Sequence, residues 1–243
     1  MVDYSEKTYG ERIAGVYDRW YSEFDTLAID VLFNLSRGGR VLELGIGTGR
    51  IALPLSRCGV AVEGIDASEA MVAKLLSKPG GKKIPITMGN FADIPVEGEF
   101  SLIYVVFNTF FALLTQAEQI RCFKNVAQHL CGDGVFVIEA FVPDLTRFTG
   151  RQSTRTVRIE DHEVQMDVSQ IELDKQLISS QHLVLTGQGT RFYPVKLRYV
   201  WPSEMDLMAQ LSRLQLRERW SDWKNSPYTA MSGKHISVYE HMK

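Results

Sequence analysis

The stretch Val41–Arg50, VLELGIGTGR, limits what this chain can fold into more than any other. A short, mostly apolar strand, Arg40–Leu44, runs directly into Gly45, Gly47 and Gly49, and a helical pattern follows from Arg50 to Cys58. Glycines at this spacing serve a tight strand-to-helix turn where a ligand must come close to the backbone. A buried strand feeding a helix in this way belongs to a parallel sheet, whose neighbouring strands need helical crossovers.

The alternation continues to Pro143. Strands are expected at Val60–Ile65, Pro85–Met88, Ser101–Val106 and Gly134–Glu139. Ser68 is placed to cap a helix through Ser77, which Pro79-Gly80-Gly81 stops; Thr115 and Glu118 form a capping box for a helix to about Leu130. Ahead of the glycines, residues 11–36 read as two helices, ERIAGVYDRWYSEF and DTLAIDVLFNLSR. From about Arg151 to Trp201 the pattern changes to strands broken by hairpin-length gaps at Asp174-Lys175 and Gly187-Gln188-Gly189. Pro202-Ser203 then opens a helix to about Leu214, and LRERWSDW and HISVYEHM read as two last strands.

The expected fold is α/β: a Rossmann-like, mostly parallel seven-stranded sheet with helices on both faces, plus an antiparallel β insert. A single domain over 1–243 would comprise a helical cap (1–38), a core (40–143), an antiparallel cover (151–201) and a C-terminal helix and strand pair (202–243) that completes the sheet.

Composition narrows the partners. A net charge of −2 argues against a broad nucleic-acid surface. No run approaches the roughly 20 apolar residues of a membrane span. The N-terminus, MVDYSEKTYGER, is polar and carries acids, unlike a secretory or transit peptide. Cys58, Cys122 and Cys131 form no C-x-x-C pair and read as packing thiols of a cytoplasmic protein.

The chemistry lies around the glycines. Arg50 occupies the place of the third glycine of a dinucleotide G-x-G-x-x-G turn, where close packing and a pyrophosphate want no side chain. Glu43, two residues before Gly45, would repel a pyrophosphate and attract a cation. Asp66, at the end of the second strand, suits two ribose hydroxyls. In these residues the chain resembles the class I S-adenosylmethionine-dependent methyltransferases, from Arg40 to about Pro143 and again in the C-terminal helix and hairpin. It is similar to the small-molecule group that includes amino-sugar N-methyltransferases with an antiparallel cover.

The resemblance implies that S-adenosyl-L-methionine is the cofactor, its methionine part cradled by Glu43, Gly45, Gly47 and Gly49, and its ribose held by Asp66. Ala67 and Met71 would pack on adenine. Asn90 stands where the family has an acid for the adenine amino group; its amide oxygen can accept the same bond, with Phe91 beside it. Phe107 and Asn108 follow a central strand at its carboxyl end, and the missing Pro-Pro there argues against a DNA base as substrate. Asn108 could hold an acceptor amine or simply form a turn. Tyr17, expected at the cofactor, and Trp20 and Tyr21, expected at the acceptor, share the spacing of an ordinary core stripe.

No histidine (His129, His162, His182, His235, His241) has metal-ligand spacing, so no metal is expected. His162 and His182 lie in the insert and could face the cleft, and no catalytic residue is assigned. Methyl transfer from a sulfonium needs chiefly orientation, which supplies roughly 7–11 kcal/mol. The expected function is thus transfer of a methyl group to nitrogen or oxygen of a small molecule. A non-catalytic S-adenosylmethionine-binding module and a nicotinamide-dependent oxidoreductase remain alternatives, and the insert could instead form a homodimer interface.

Overall fold

The computed structural model describes residues 4–243; residues 1–3, the start of the expected helical cap, lie outside them. Seven strands build the main sheet: β1 (Val41–Leu44), β2 (Val62–Asp66), β3 (Ile86–Met88), β4 (Phe100–Val105), β5 (Leu130–Phe141), β10 (Leu214–Trp220) and β11 (Lys234–His241). They lie in the order β10-β11-β5-β4-β1-β2-β3. All pairs from β3 to β5 are parallel, and β11 runs antiparallel between β5 and β10.

Alternate residues of the central strands supply two cores. Leu42, Leu44, Ile103, Val105, Phe136 and Ile138 face α6 (Gln116–His129) and α7 (Pro202–Leu211), while Val41, Leu102, Tyr104, Val135 and Val137 face α3 (Leu27–Ser36) and α4 (Ala52–Arg57). Both faces of a parallel sheet are thereby dry, which is why β1 and β4 are so apolar. The Ser68 cap of α5 (Glu69–Ser77) and the Thr115–Glu118 capping box of α6 both form.

A second, four-stranded antiparallel sheet follows: β6 (Gln152–Glu160), β7 (Glu163–Glu172), β8 (Leu177–Thr186) and β9 (Gly189–Arg198), in sequence order. Its base is held by Arg198, whose guanidinium donates to Glu204 at 2.9 Å, to Gln176 at 3.0 Å and to Gln119. That cluster ties β9 to α6 and α7.

Several boundaries differ from expectation. The first helix divides into α1 (Thr8–Ile13) and α2 (Tyr17–Trp20), because Gly15 is a poor interior residue and Val16 leaves helical geometry. β5 begins at Leu130 rather than Gly134, and α7 ends at Leu211, with Arg213 in the left-handed region. A hairpin at Asp161-His162 divides what read as one strand. Cys58 is exposed at the end of α4 and packs nowhere; Cys122 is buried. Among the described residues no helix is long and apolar enough to cross a membrane.

The Arg198 cluster yields a test of what anchors the second sheet. Arg198 exposes 6% of its side chain, so Glu204→Ala leaves a buried charge unpaired and should cost about 3–5 kcal/mol in urea unfolding. Glu172→Ala, which breaks the exposed pair with Lys175, should leave the urea transition nearly where it is. Equal effects would show that Arg198 is not an anchor.

Candidate active site

One cavity of about 590 Å³ runs from the carboxyl ends of β1, β2 and β4 to the inner face of the second sheet. Its floor is the glycine turn. Gly45, Gly47 and Gly49 have φ of +71°, +54° and +75°, which glycine adopts without strain. Asp66 holds this turn: its Oδ2 accepts from the Gly47 amide at 2.7 Å and its Oδ1 from the Ser68 amide at 2.8 Å. Gly45 and Gly47 line the cavity, whereas Gly49 does not. A Cβ on Gly49 would sit 2.9 Å from Leu75, so this glycine serves helix packing and not the ligand contact expected of it.

The N-terminal helices close one side. A Cβ on Gly10 would sit 2.5 Å from the Ser68 Cβ, so α1 lies directly on the start of α5. Glu11 Oε1 accepts from Ser68 Oγ and the Ala70 amide, and these donors hold its carboxyl below the ordinary value. Thr48 donates to Asp18 at 2.6 Å, and Lys78 bridges Asp18 and the Thr48 carbonyl.

Tyr9, Tyr17 and Tyr21 line the cavity. Trp20 does not: it packs edge-on against Tyr193 at 4.8 Å and lies beside the second sheet, so the structure does not bring it into the wall where a substrate contact was expected of it.

Arg50 turns inward. Its Nη1 donates to the Tyr21 carbonyl at 2.9 Å and its Nη2 to the Tyr17 hydroxyl at 3.3 Å. The guanidinium stacks on Phe107 at 3.5 Å, and its buried Nε has no partner among the described residues. Sequence reasoning used Arg50 only to exclude a pyrophosphate and missed it as a cavity cation.

Glu43 is 4% exposed, lines the cavity and accepts from the Tyr104 hydroxyl at 2.8 Å. Ala67, Met71, Asn90 and Phe91 line the wall beyond Asp66. Asn90 Oδ1 accepts from the Ala92 amide at 2.9 Å and keeps a second lone pair for a ligand donor.

Phe107 and Asn108 also line the cavity, with φ of +56° and +65° at the end of β4. Asn108 Oδ1 accepts from the Phe141 amide at 2.7 Å, which supports its turn-forming reading. Glu139 steadies this turn, accepting from the Phe107 amide, Trp223 and Lys234.

From the second sheet come Asp167 and Ser169 of β7 and Ser180 and His182 of β8. His182 bonds through Nδ1 to Asp167, and the two seryl hydroxyls lie 2.7 Å apart. Which face of an insert points inward is invisible in its alternation, so only His182 of these four was singled out from sequence. His162 sits in the exposed hairpin. His235 is buried in β11 outside the cavity, bonded to Ser237 Oγ, and burial lowers it to about 4.

The cavity offers what a nucleoside with an amino-acid tail needs. The bare glycine backbone leaves room, Asp66 faces it as an acceptor, Arg50 supplies a positive charge for an α-carboxylate, and Glu43 is an acid that an arriving cation would ionise.

Burial pushes the Glu43 carboxyl from 4.5 to about 8, against the opposing pull of Tyr104 and Arg50. Its folded-state value thus lies above its unfolded one, so its ionisation opposes folding. The stabilising share is complete below about 4.5 and is lost as pH rises through about 8. In urea unfolding of ligand-free protein, Glu43→Gln should therefore gain on the wild type as pH rises through this window. A gap independent of pH would refute the assignment.

Known proteins carry the same architecture. Residues 41–134 match the model of a methyltransferase domain family. The cypemycin N-terminal methyltransferase of a Streptomyces species is 26% identical over 207 residues, covering 84% of this chain and 83% of the relative. The CcbJ methyltransferase of Streptomyces caelestis is 37% identical, with a TM-score of 0.89 over 99% of this chain and 100% of its own. CalS10, an amino pentose methyltransferase of Micromonospora echinaspora solved with S-adenosylmethionine bound, shares the fold at 20% identity and a TM-score of 0.69, over 93% and 97% of the two chains. The glycine turn, the acid that braces it and a full-length likeness at this identity make one conclusion: the chain belongs to the S-adenosylmethionine-dependent methyltransferases.

Proposed function

We propose that this methyltransferase moves the S-methyl group of S-adenosylmethionine to an atom of a small molecule held between the two sheets, with nitrogen favoured over oxygen. One observation carries the reading: a single cavity is lined both by the glycine turn and by polar side chains of the second sheet. A module that only sensed the cofactor would have no use for that second polar wall. The cypemycin N-terminal methyltransferase and the sugar N-methyltransferase KedS8 both act on nitrogen by name, which supports nitrogen as the acceptor atom.

In this reading the second sheet is a cover, and Gly45, Gly47, Asp66, Ala67, Met71, Asn90, Phe91 and Phe107 receive the cofactor. Arg50 and Tyr17 orient its carboxylate, and Glu43 its cationic end. When bound, the cofactor supplies a methyl group activated by the sulfonium. The chain's own task is to align the acceptor and exclude water, which Tyr9, Tyr17 and Tyr21 do from one side and the second sheet from the other. A membrane or nucleic acid has no role in this reading, and the site of action is the cytoplasm. The outer face of the second sheet exposes Val168, Leu185 and Phe192, which favours a homodimer built on that face.

Tritium transfer from methyl-labelled S-adenosylmethionine tests the reading with glucosamine and trialanine as amines, p-cresol as a phenol and a DNA oligonucleotide. Label should enter an amine; label entering only the oligonucleotide would overturn it. By calorimetry, Asp66→Ala should weaken cofactor binding by about 1.5–3 kcal/mol. Gly47→Val should abolish binding while circular dichroism stays native, because the new side chain fills the approach path.

A further inference from the structure

We propose that His182, held by Asp167, is the proton acceptor for an amine substrate in this cavity. The proposal rests on the reading above that the acceptor is an amine. Asp167 and His182 are direct cross-strand partners on β7 and β8, and both line the cavity. A carboxylate can only accept, so its bond to Nδ1 places the imidazole proton there and leaves the Nε2 lone pair free. Nε2 has no hydrogen-bond partner among the described residues, and 22% of the side chain is exposed.

The other cavity groups are occupied or unsuited. Both Asp66 oxygens already accept backbone amides, and Glu43 holds Tyr104. Burial raises the Tyr9 phenol well above 10, that of Tyr17 to about 12 and that of Tyr21 above its ordinary value, so all three stay protonated and act as donors. Glu6 and Glu23 reach the cavity only from exposed positions, so inside it His182 is the base with a free lone pair.

An alkylammonium has no lone pair with which to attack. It first gives one proton to Nε2, and the imidazolium is stabilised by Asp167. The free amine then attacks the methyl carbon; the C–N bond forms as the S–C bond breaks, and the sulfonium becomes a neutral thioether. The product leaves as a methylated ammonium, and the imidazolium proton passes to solvent.

The groups facing the imidazole are Asp167 on β7, Tyr193 on β9, and Tyr9 and Trp20 from the N-terminal helices; Arg155 of β6 lies across from Asp167.

The test uses full-length enzyme with glucosamine and trialanine. At pH 7, where an α-amine of pKa about 8 is roughly one-tenth free, His182→Gln should lose about tenfold in kcat while the KM for S-adenosylmethionine is unchanged. Its rate should climb tenfold per pH unit toward the amine's own pKa, where the wild type is nearly flat, because only amine already free in solution can react. In ¹⁵N-histidine spectra of the S-adenosylhomocysteine complex, either amine should shift the His182 Nε2 resonance. Wild-type kcat in His182→Gln, or a loss that high pH does not restore, would overturn the proposal, the latter marking a merely structural role. Failure of the wild type to label either amine would instead refute the amine reading, and this proposal with it.

Discussion

The Asp66 carboxylate joins two backbone amides that sequence keeps apart, Gly47 in the turn after β1 and Ser68 at the start of α5. Much of the cavity depends on that bridge. With the turn and α5 fixed, Ser68 can receive Glu11, and Gly10 can lie against its Cβ, so α1 has a seat. Ile13 and Ala14 of that segment then pack with Val184 and Tyr193 of the second sheet, with Tyr9 and Trp20 at the margin. The contacts therefore run from cofactor turn to helix to cap to cover. An acid that sequence logic assigns to a ribose also shapes, through three steps, the wall on which an acceptor would rest.

Charge is arranged in the same cavity with little surplus. Glu43 is deep, carries a raised pKa and has Arg50 as its nearby cation. Arg50 is satisfied only in part, with its Nε unpartnered and its plane against Phe107. An incompletely paired buried guanidinium is expensive, and a ligand carboxylate is one way to relieve it.

The main sheet was legible because local rules and burial agree there. The strand into Gly45, the Ser68 cap and the Thr115–Glu118 box are each set by neighbours within a few residues, and each forms. Positions whose role depends on distant partners were not legible. Gly49 carries the motif spacing yet faces Leu75; Trp20 shares a stripe with Tyr17 but turns to Tyr193. Arg50 read as an obstacle to phosphate, and only the packing of α2 reveals it as part of the wall. Asp167 was indistinguishable from any other acid on an alternating strand until the register with β8 set it beside His182.

That register bears on what the second sheet is for. Along its inner face the cross-strand pairs run Asp167–His182, Ser169–Ser180 and Ile171–Ile178, from polar to apolar toward the Arg198 anchor. A sheet used only as a subunit interface would need apolar residues outside and a dry inner face packed on the core. Here the inner face is dry at its base, where Ile171 and Ile178 join the main core, and polar where it overhangs the cofactor turn. Placing hydroxyls and a paired imidazole over a cavity costs burial energy that an interface would not need to spend. The gradient fits the proposed cover, with a base that anchors and a polar tip over the cofactor turn.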